Sequence, residues 1–131
     1  NAADWLIGGG IMGPDALARG FTCLRDMAKP GDAHCLAQQP YHYRDYRPGM
    51  DPHESSGIPN HAFYRAAMTL GGRSWEKLGK VWYAALTGLP SPNMRFATFA
   101  RRTRRAAKRL YPADPAVYAA VNAGWTAVGI P

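Results

Sequence analysis

From Gly57 to Gly129 apolar residues return at helical intervals. Ile58, Ala62, Phe63, Ala66 and Leu70 predict a first helix, with Pro59 in its first turn and Gly71-Gly72 at its end. Trp75, Leu78, Gly79, Val81, Trp82 and Leu86 form the stripe of a second helix, capped by Ser74 and stopped by Gly88-Leu89-Pro90. Glu76 in its first turn suits the positive end of the helix dipole. Phe96, Phe99, Ala100, Thr103, Ala107 and Leu110 share one face of a third, for which Asn93 is the cap. Asp114-Pro115 opens a fourth, carrying Val117, Ala120, Val121, Trp125 and Val128, and Gly129 ends it. Four successive helices make the fold mainly α, a helical bundle.

Residues 14–56 show no such period. Pro14, Pro30, Pro40, Pro48 and Pro52 punctuate them, and Tyr41, Tyr43 and Tyr46 argue against disorder. A long irregular region beside a bundle is the expected place for function. Ahead of it, Gly8-Gly9-Gly10-Ile11-Met12-Gly13 formally contains G-x-G-x-x-G. A dinucleotide site needs a βαβ unit around that motif, and none develops here, so a glycine-rich loop is expected. Asn1-Ala2-Ala3 reads as a cloning scar, leaving 4–131 as one domain.

No apolar run approaches the ~20 residues of a membrane span, and no basic-then-apolar leader is visible. With 16 basic and 9 acidic residues the net charge is +7, which raises nucleic acid or an acidic surface as a partner. The charge is concentrated in Arg101, Arg102, Arg104, Arg105, Lys108 and Arg109. These fall opposite the apolar face of the third helix and carry no interleaved aromatic for base stacking, so they read as a solvated face. Cys23 and Cys35 leave two readings open, a disulfide or two free thiols. Their spacing, with only His34 close by, argues against zinc. His42 and His61 stand alone, and no metal set is expected within the chain.

The chemistry that remains lies in Asp51-Pro52-His53-Glu54-Ser55-Ser56-Gly57, directly before the first helix. His53-Glu54 begins like the zinc helix H-E-x-x-H, but Gly57 occupies the second histidine position. Asp51 and His53 are two apart, which on an extended segment puts both side chains on one face. A carboxylate there fixes the imidazole tautomer and favours a ring that can donate to a developing oxyanion. The plainer reading is a turn aspartate and a surface histidine.

The stretch from Asp51 to Tyr64 resembles the active-site histidine segment of the thermolysin family of zinc metallopeptidases. It is most similar to the branch of pseudolysin and vibriolysin, where Asp and His are two apart and Ser-Ser-Gly follows. Further stretches agree in order: Asp4-Trp5-Leu6-Ile7-Gly8, Leu24-Arg25-Asp26-Met27, Gly79-Lys80-Val81-Trp82-Tyr83 and the ending Gly124-Trp125-Thr126-Ala127-Val128-Gly129-Ile130. The resemblance covers residues 4–130. It implies the C-terminal helical half of a secreted endopeptidase that cleaves before bulky apolar residues and faces its own N-terminal catalytic domain. His53 would contact the oxyanion and Asp51 would orient it. Arg25 would hold a substrate carbonyl, and Leu24, Ile7 and Ile11 would line an apolar pocket. The zinc ligands and catalytic glutamate of the family have no counterpart in this sequence, so the chain alone is expected to be inactive. Leu6 and Gly9 stand where thermolysin has acidic residues, leaving Asp4, so a double calcium site is not expected. A binding module of the same fold without catalysis and a basic helical nucleic-acid binder are the competing readings.

Overall fold

A computed structural model describes residues 4–88 and 91–131. Asn1–Ala3, read as a scar, and Leu89-Pro90, read as a helix stop, lie outside the described residues. Two short strands, β1 (Leu6–Ile7) and β2 (Arg25–Asp26), pair antiparallel with Ile7 opposite Arg25. Six α-helices accompany them: α1 (Pro14–Ala18), α2 (Pro52–Ser55), α3 (Gly57–Leu70), α4 (Leu78–Thr87), α5 (Phe96–Leu110) and α6 (Pro115–Ala127). The long helices α3 to α6 are the four that periodicity predicts. A mainly α architecture is therefore observed.

The core is built between α3 and α6. Ile58, Ala62 and Ala66 of α3 meet Val117, Val121 and Trp125 of α6, all fully buried. Small residues let the two backbones approach: a Cβ on Gly124 would strike Ala62 O and come within 3.0 Å of Ala66 Cβ. The Trp125 ring stacks on Trp82 of α4 with centroids 5.9 Å apart, and its Nε1–H donates to Thr103 Oγ1 of α5 at 2.8 Å. One side chain thus ties three helices and satisfies its own polar atom. Gly129, with φ +83°, closes α6 with the paired bonds Ile130 N to Trp125 O and Gly129 N to Thr126 O.

The helix starts depart from expectation in two places. Ser74 does not cap α4; residues 74–77 form a turn closed by Gly79 N to Ser74 O, and the helix begins at Leu78. Trp75 consequently leaves the apolar stripe and is 64% exposed, with the Arg73 guanidinium over its ring. Asn93 does not cap α5, whose N-cap is Arg95. Leu86 and Leu110, placed on apolar faces by their spacing, sit at the exposed margins of α4 and α5. At α6 the expected Asp114-Pro115 start is present, although the Asp114 carboxylate accepts from Lys77 Nζ at 2.6 Å rather than capping. The glycine-rich loop after β1 leads to a helix of only five residues, and β1 runs antiparallel to its partner; neither is a dinucleotide unit.

Candidate active-site wall

Asp51 and His53 come together, by a different route from strand alternation. Asp51 is the N-cap of α2 and Pro52 fills the first helical position, where its missing N–H costs nothing. The Asp51 Oδ1 atom accepts from His53 N at 2.7 Å and from His53 Nδ1–H at 2.8 Å. These two donors, the backbone N–H first, hold the Asp51 carboxyl below the usual carboxylate range. Fixing Nδ1 as the donor leaves Nε2 at the far side of a ring that is 83% exposed. One capping aspartate therefore sets both the helix start and the tautomer.

A residue that sequence reasoning missed holds this segment. Gln39 is buried, and its Nε2 donates to His53 O at 2.6 Å and to Ser56 Oγ at 2.9 Å. Its own N–H donates to Pro30 O. Beside it, Pro40 packs so tightly on the start of α3 that a Cβ on Gly57 would strike Pro40 O. Gly57, the residue that breaks the false zinc motif, is needed for this contact. Nothing in Ala37-Gln38-Gln39-Pro40 signals the role, because it depends on a contact fourteen residues away.

The expected substrate residues form a second group, on the two-stranded sheet. Leu24 N donates to Ile7 O at 2.9 Å, and Leu24 Cβ and the Ile11 side chain both crowd Gly8. Ile7 and Ile11 are exposed, Ile11 at 76%. Arg25 lies opposite Ile7, and its buried Nε has no hydrogen-bond partner among the described residues. A buried donor left unpaired is uncommon. No hydrogen bond joins this group to the Asp51–His53 pair among the described residues; the connection runs through the Pro30–Gln39 loop.

Spacing argued against a metal set, and here the fold differs. An isolated parallel bridge aligns Cys23 with Cys35, so the ligand atoms of Cys23, His34 and Cys35 lie within 4.8 Å of one another. The cysteines are free thiols. Burial, then the neighbouring Cys23, pushes the Cys35 thiol up to about 12. The Asp32 carboxylate, at 2.7 Å from Nδ1, raises the His34 pKa.

The basic face of α5 is partly structural. Arg102 Nε donates to Ala85 O, and the Arg104 guanidinium donates to Asn122 Oδ1, Ile130 O and Pro131 O, holding the C-terminal segment. No helix among the described residues is long and apolar enough to cross a membrane.

Comparison with known proteins gives the context for this arrangement. Residues 1–130 match the family model described as thermolysin metallopeptidase, alpha-helical domain. The chain is 40% identical over 139 residues to an extracellular metalloprotease of Pectobacterium carotovorum subsp. carotovorum, covering 98% of this chain and 38% of that protein. It is 37% identical over 134 residues to protease PrtS of Photorhabdus sp. (strain Az29), covering 92% of this chain and 36% of that one. The precursor of protealysin, a metalloproteinase from Serratia proteamaculans, is structurally similar, with a TM-score of 0.81 and 37% identity over 98% of this chain and 42% of its own. The chain thus spans well under half the length of these relatives. It belongs to the thermolysin metallopeptidase family, as the alpha-helical domain of that family.

Proposed function

We propose that this chain is the cleft wall of a secreted zinc endopeptidase of the pseudolysin and vibriolysin branch. The observation that carries this reading is the Asp51–His53 pair, whose two hydrogen bonds to one oxygen orient the ring and leave Nε2 free. The Asp-x-His-x-Ser-Ser-Gly order supports the branch, and the relative named an extracellular metalloprotease supports secretion.

The residues around His53 do not form a zinc set, since Nδ1 is taken by Asp51 and the sequence holds no H-E-x-x-H. The zinc and its ligands belong to an N-terminal catalytic domain that this wall faces. The chain's own contribution is electrostatic. With both ring nitrogens protonated, His53 Nε2–H donates to the oxygen that gains charge as the peptide carbonyl becomes tetrahedral, while Asp51 accepts from Nδ1–H and holds the ring. Arg25 takes a backbone carbonyl of the substrate with its guanidinium. Leu24, Ile7 and Ile11 offer the apolar surface that receives a bulky side chain.

The test is His53→Ala in the full-length enzyme. Loss of an oxyanion donor lowers turnover ~10²-fold or more with a smaller change in KM. Unchanged turnover would remove His53 from the reaction.

A further inference from the structure

The cluster of Cys23, His34 and Cys35 lies outside the proposed cleft chemistry. We propose that these three side chains form a structural site for a soft divalent cation, with zinc the best match. Three observations carry it.

The first is spacing. Zinc–thiolate bonds of ~2.3 Å in a tetrahedron put two sulfurs ~3.8 Å apart; Cys23 Sγ and Cys35 Sγ are 3.9 Å apart. The Cys35 Sγ to His34 Nε2 distance is 3.8 Å, close to the sulfur–nitrogen edge of the same figure. A disulfide would need ~2.05 Å between the sulfurs.

The second is orientation. His34 Nδ1 lies 2.7 Å from Asp32 Oδ1, which leaves Nε2 as the nitrogen on the sulfur side, 3.8 Å from Cys35 Sγ; there it also meets Asp26 Oδ2 at 2.9 Å, a contact that ligation would replace. A carboxylate behind a ligating imidazole is the usual support of such a ligand. The third is a fixed carboxylate at the histidine end of the cluster. Asp26 Oδ2 is 2.9 Å from Nε2, and Oδ1 of the same carboxylate is fixed by Ala28 N and Lys29 N. Asp26 stands outside the three side chains whose ligand atoms all lie within 4.8 Å, so the fourth position is left to solvent.

Both cysteines are fully buried and Asp26 nearly so. Binding releases the two thiol protons and any Nε2 proton to solvent, and two thiolates balance the dication. The site would pin β2 to the Cys35 loop, and through Pro30 and Gln39 to the segment bearing His53.

Cobalt is the probe, because thiolate ligation adds sulfur-to-cobalt charge-transfer absorption that a site of histidine and carboxylate lacks. A catalytic metal elsewhere in the enzyme is therefore not counted. Reduced, demetallated protein is titrated with cobalt, and zinc is then added to displace it. One equivalent with the charge-transfer band is expected, lost in Cys23→Ser and in Cys35→Ser. Asp32→Asn keeps every ligand, so it should retain the far-ultraviolet circular dichroism while weakening affinity ~10–100-fold. A folded, reduced protein without the band overturns the site, as does a band that survives Cys23→Ser. Recovery of a Cys23–Cys35 disulfide that, once reduced, gives no band overturns it equally.

Discussion

A histidine's use depends on what its two nitrogens meet. At His53 one nitrogen is fixed and the ring is in water. At His61 the Nδ1 atom is 2.9 Å from Met27 O, and the ring is buried between Tyr41 and Tyr64. Burial lowers the His61 pKa, the Met27 carbonyl opposes this, Arg65 adds to the lowering and Asp26 opposes it. A folded pKa below the unfolded value of ~6.5 means that the neutral ring is what the fold holds. Its stability contribution is intact above pH ~6.5 and is lost as pH falls from there through the folded pKa. The carboxylates held low, Asp32, Asp51 and Asp114, act only below pH ~4. His34, raised by Asp32, acts the other way and only above pH ~6.5, where its contribution is lost as pH rises through the folded value. Urea midpoints measured between pH 4.5 and 6.5 should therefore fall toward the acid end. His61→Gln should flatten that slope; an unchanged slope would show that another group is responsible.

Gln39 is a positioning residue and makes a separate prediction. Gln39→Ala removes the donor from His53 O and from Ser56 Oγ, leaving α2 free to shift against α3. In the full-length enzyme a ~10-fold loss of turnover is expected, scaled to the loss when a supporting hydrogen bond behind an active group is removed. The fall should be in kcat rather than KM, since no substrate contact is removed. An equal rise in KM with kcat intact would place Gln39 in binding instead.

At the scale of elements, period and capping carried different amounts of information. The α3 to α6 stripes were legible because each long helix buries one face, and burial enforces the 3.6-residue repeat. Starts were less legible: Ser74 and Asn93 have the right side chains, but Gly79 N and Ser74 O close a turn that delays α4. Asp51 shows the converse, since the pairing with His53 was expected from an extended segment and arises from an N-cap. Gly124 was invisible as a determinant, because its reason is the opposing helix. Alanine there gains ~1 kcal/mol of helix propensity over glycine. The added Cβ strikes the Ala62 carbonyl and presses Ala66, and overpacking of this kind costs ~1–3 kcal/mol or more. Gly124→Ala should therefore lower stability by up to ~2 kcal/mol, seen as a lower urea midpoint at constant m-value. A raised midpoint would mean that α3 and α6 separate without penalty.

At the scale of the molecule, the core and the candidate wall stand in different relations to the chain. The core draws on α3, α4, α5 and α6 together, and Trp125 touches partners on two of them. Val128 and Ile130 beyond α6 complete it, and Trp5 and Tyr46 from the segment before α3 pack on it. The proposed wall is open to solvent: His53 faces outward, and Ile7 and Ile11 are exposed. The sequence revealed the Asp51–His53 half of this arrangement because its members are adjacent in the chain. It could not reveal the Gln39 clamp or the Cys23–His34–Cys35 cluster, which long-range bridges assemble. Folding and catalysis should consequently separate. The isolated chain should unfold in one urea transition, with tryptophan fluorescence and far-ultraviolet circular dichroism coinciding. On the proposed reading it should leave a peptide reporter uncleaved with zinc supplied, since its sequence holds no H-E-x-x-H. Zinc-dependent hydrolysis by the purified chain, surviving His53→Ala, would require a catalytic centre other than the proposed one.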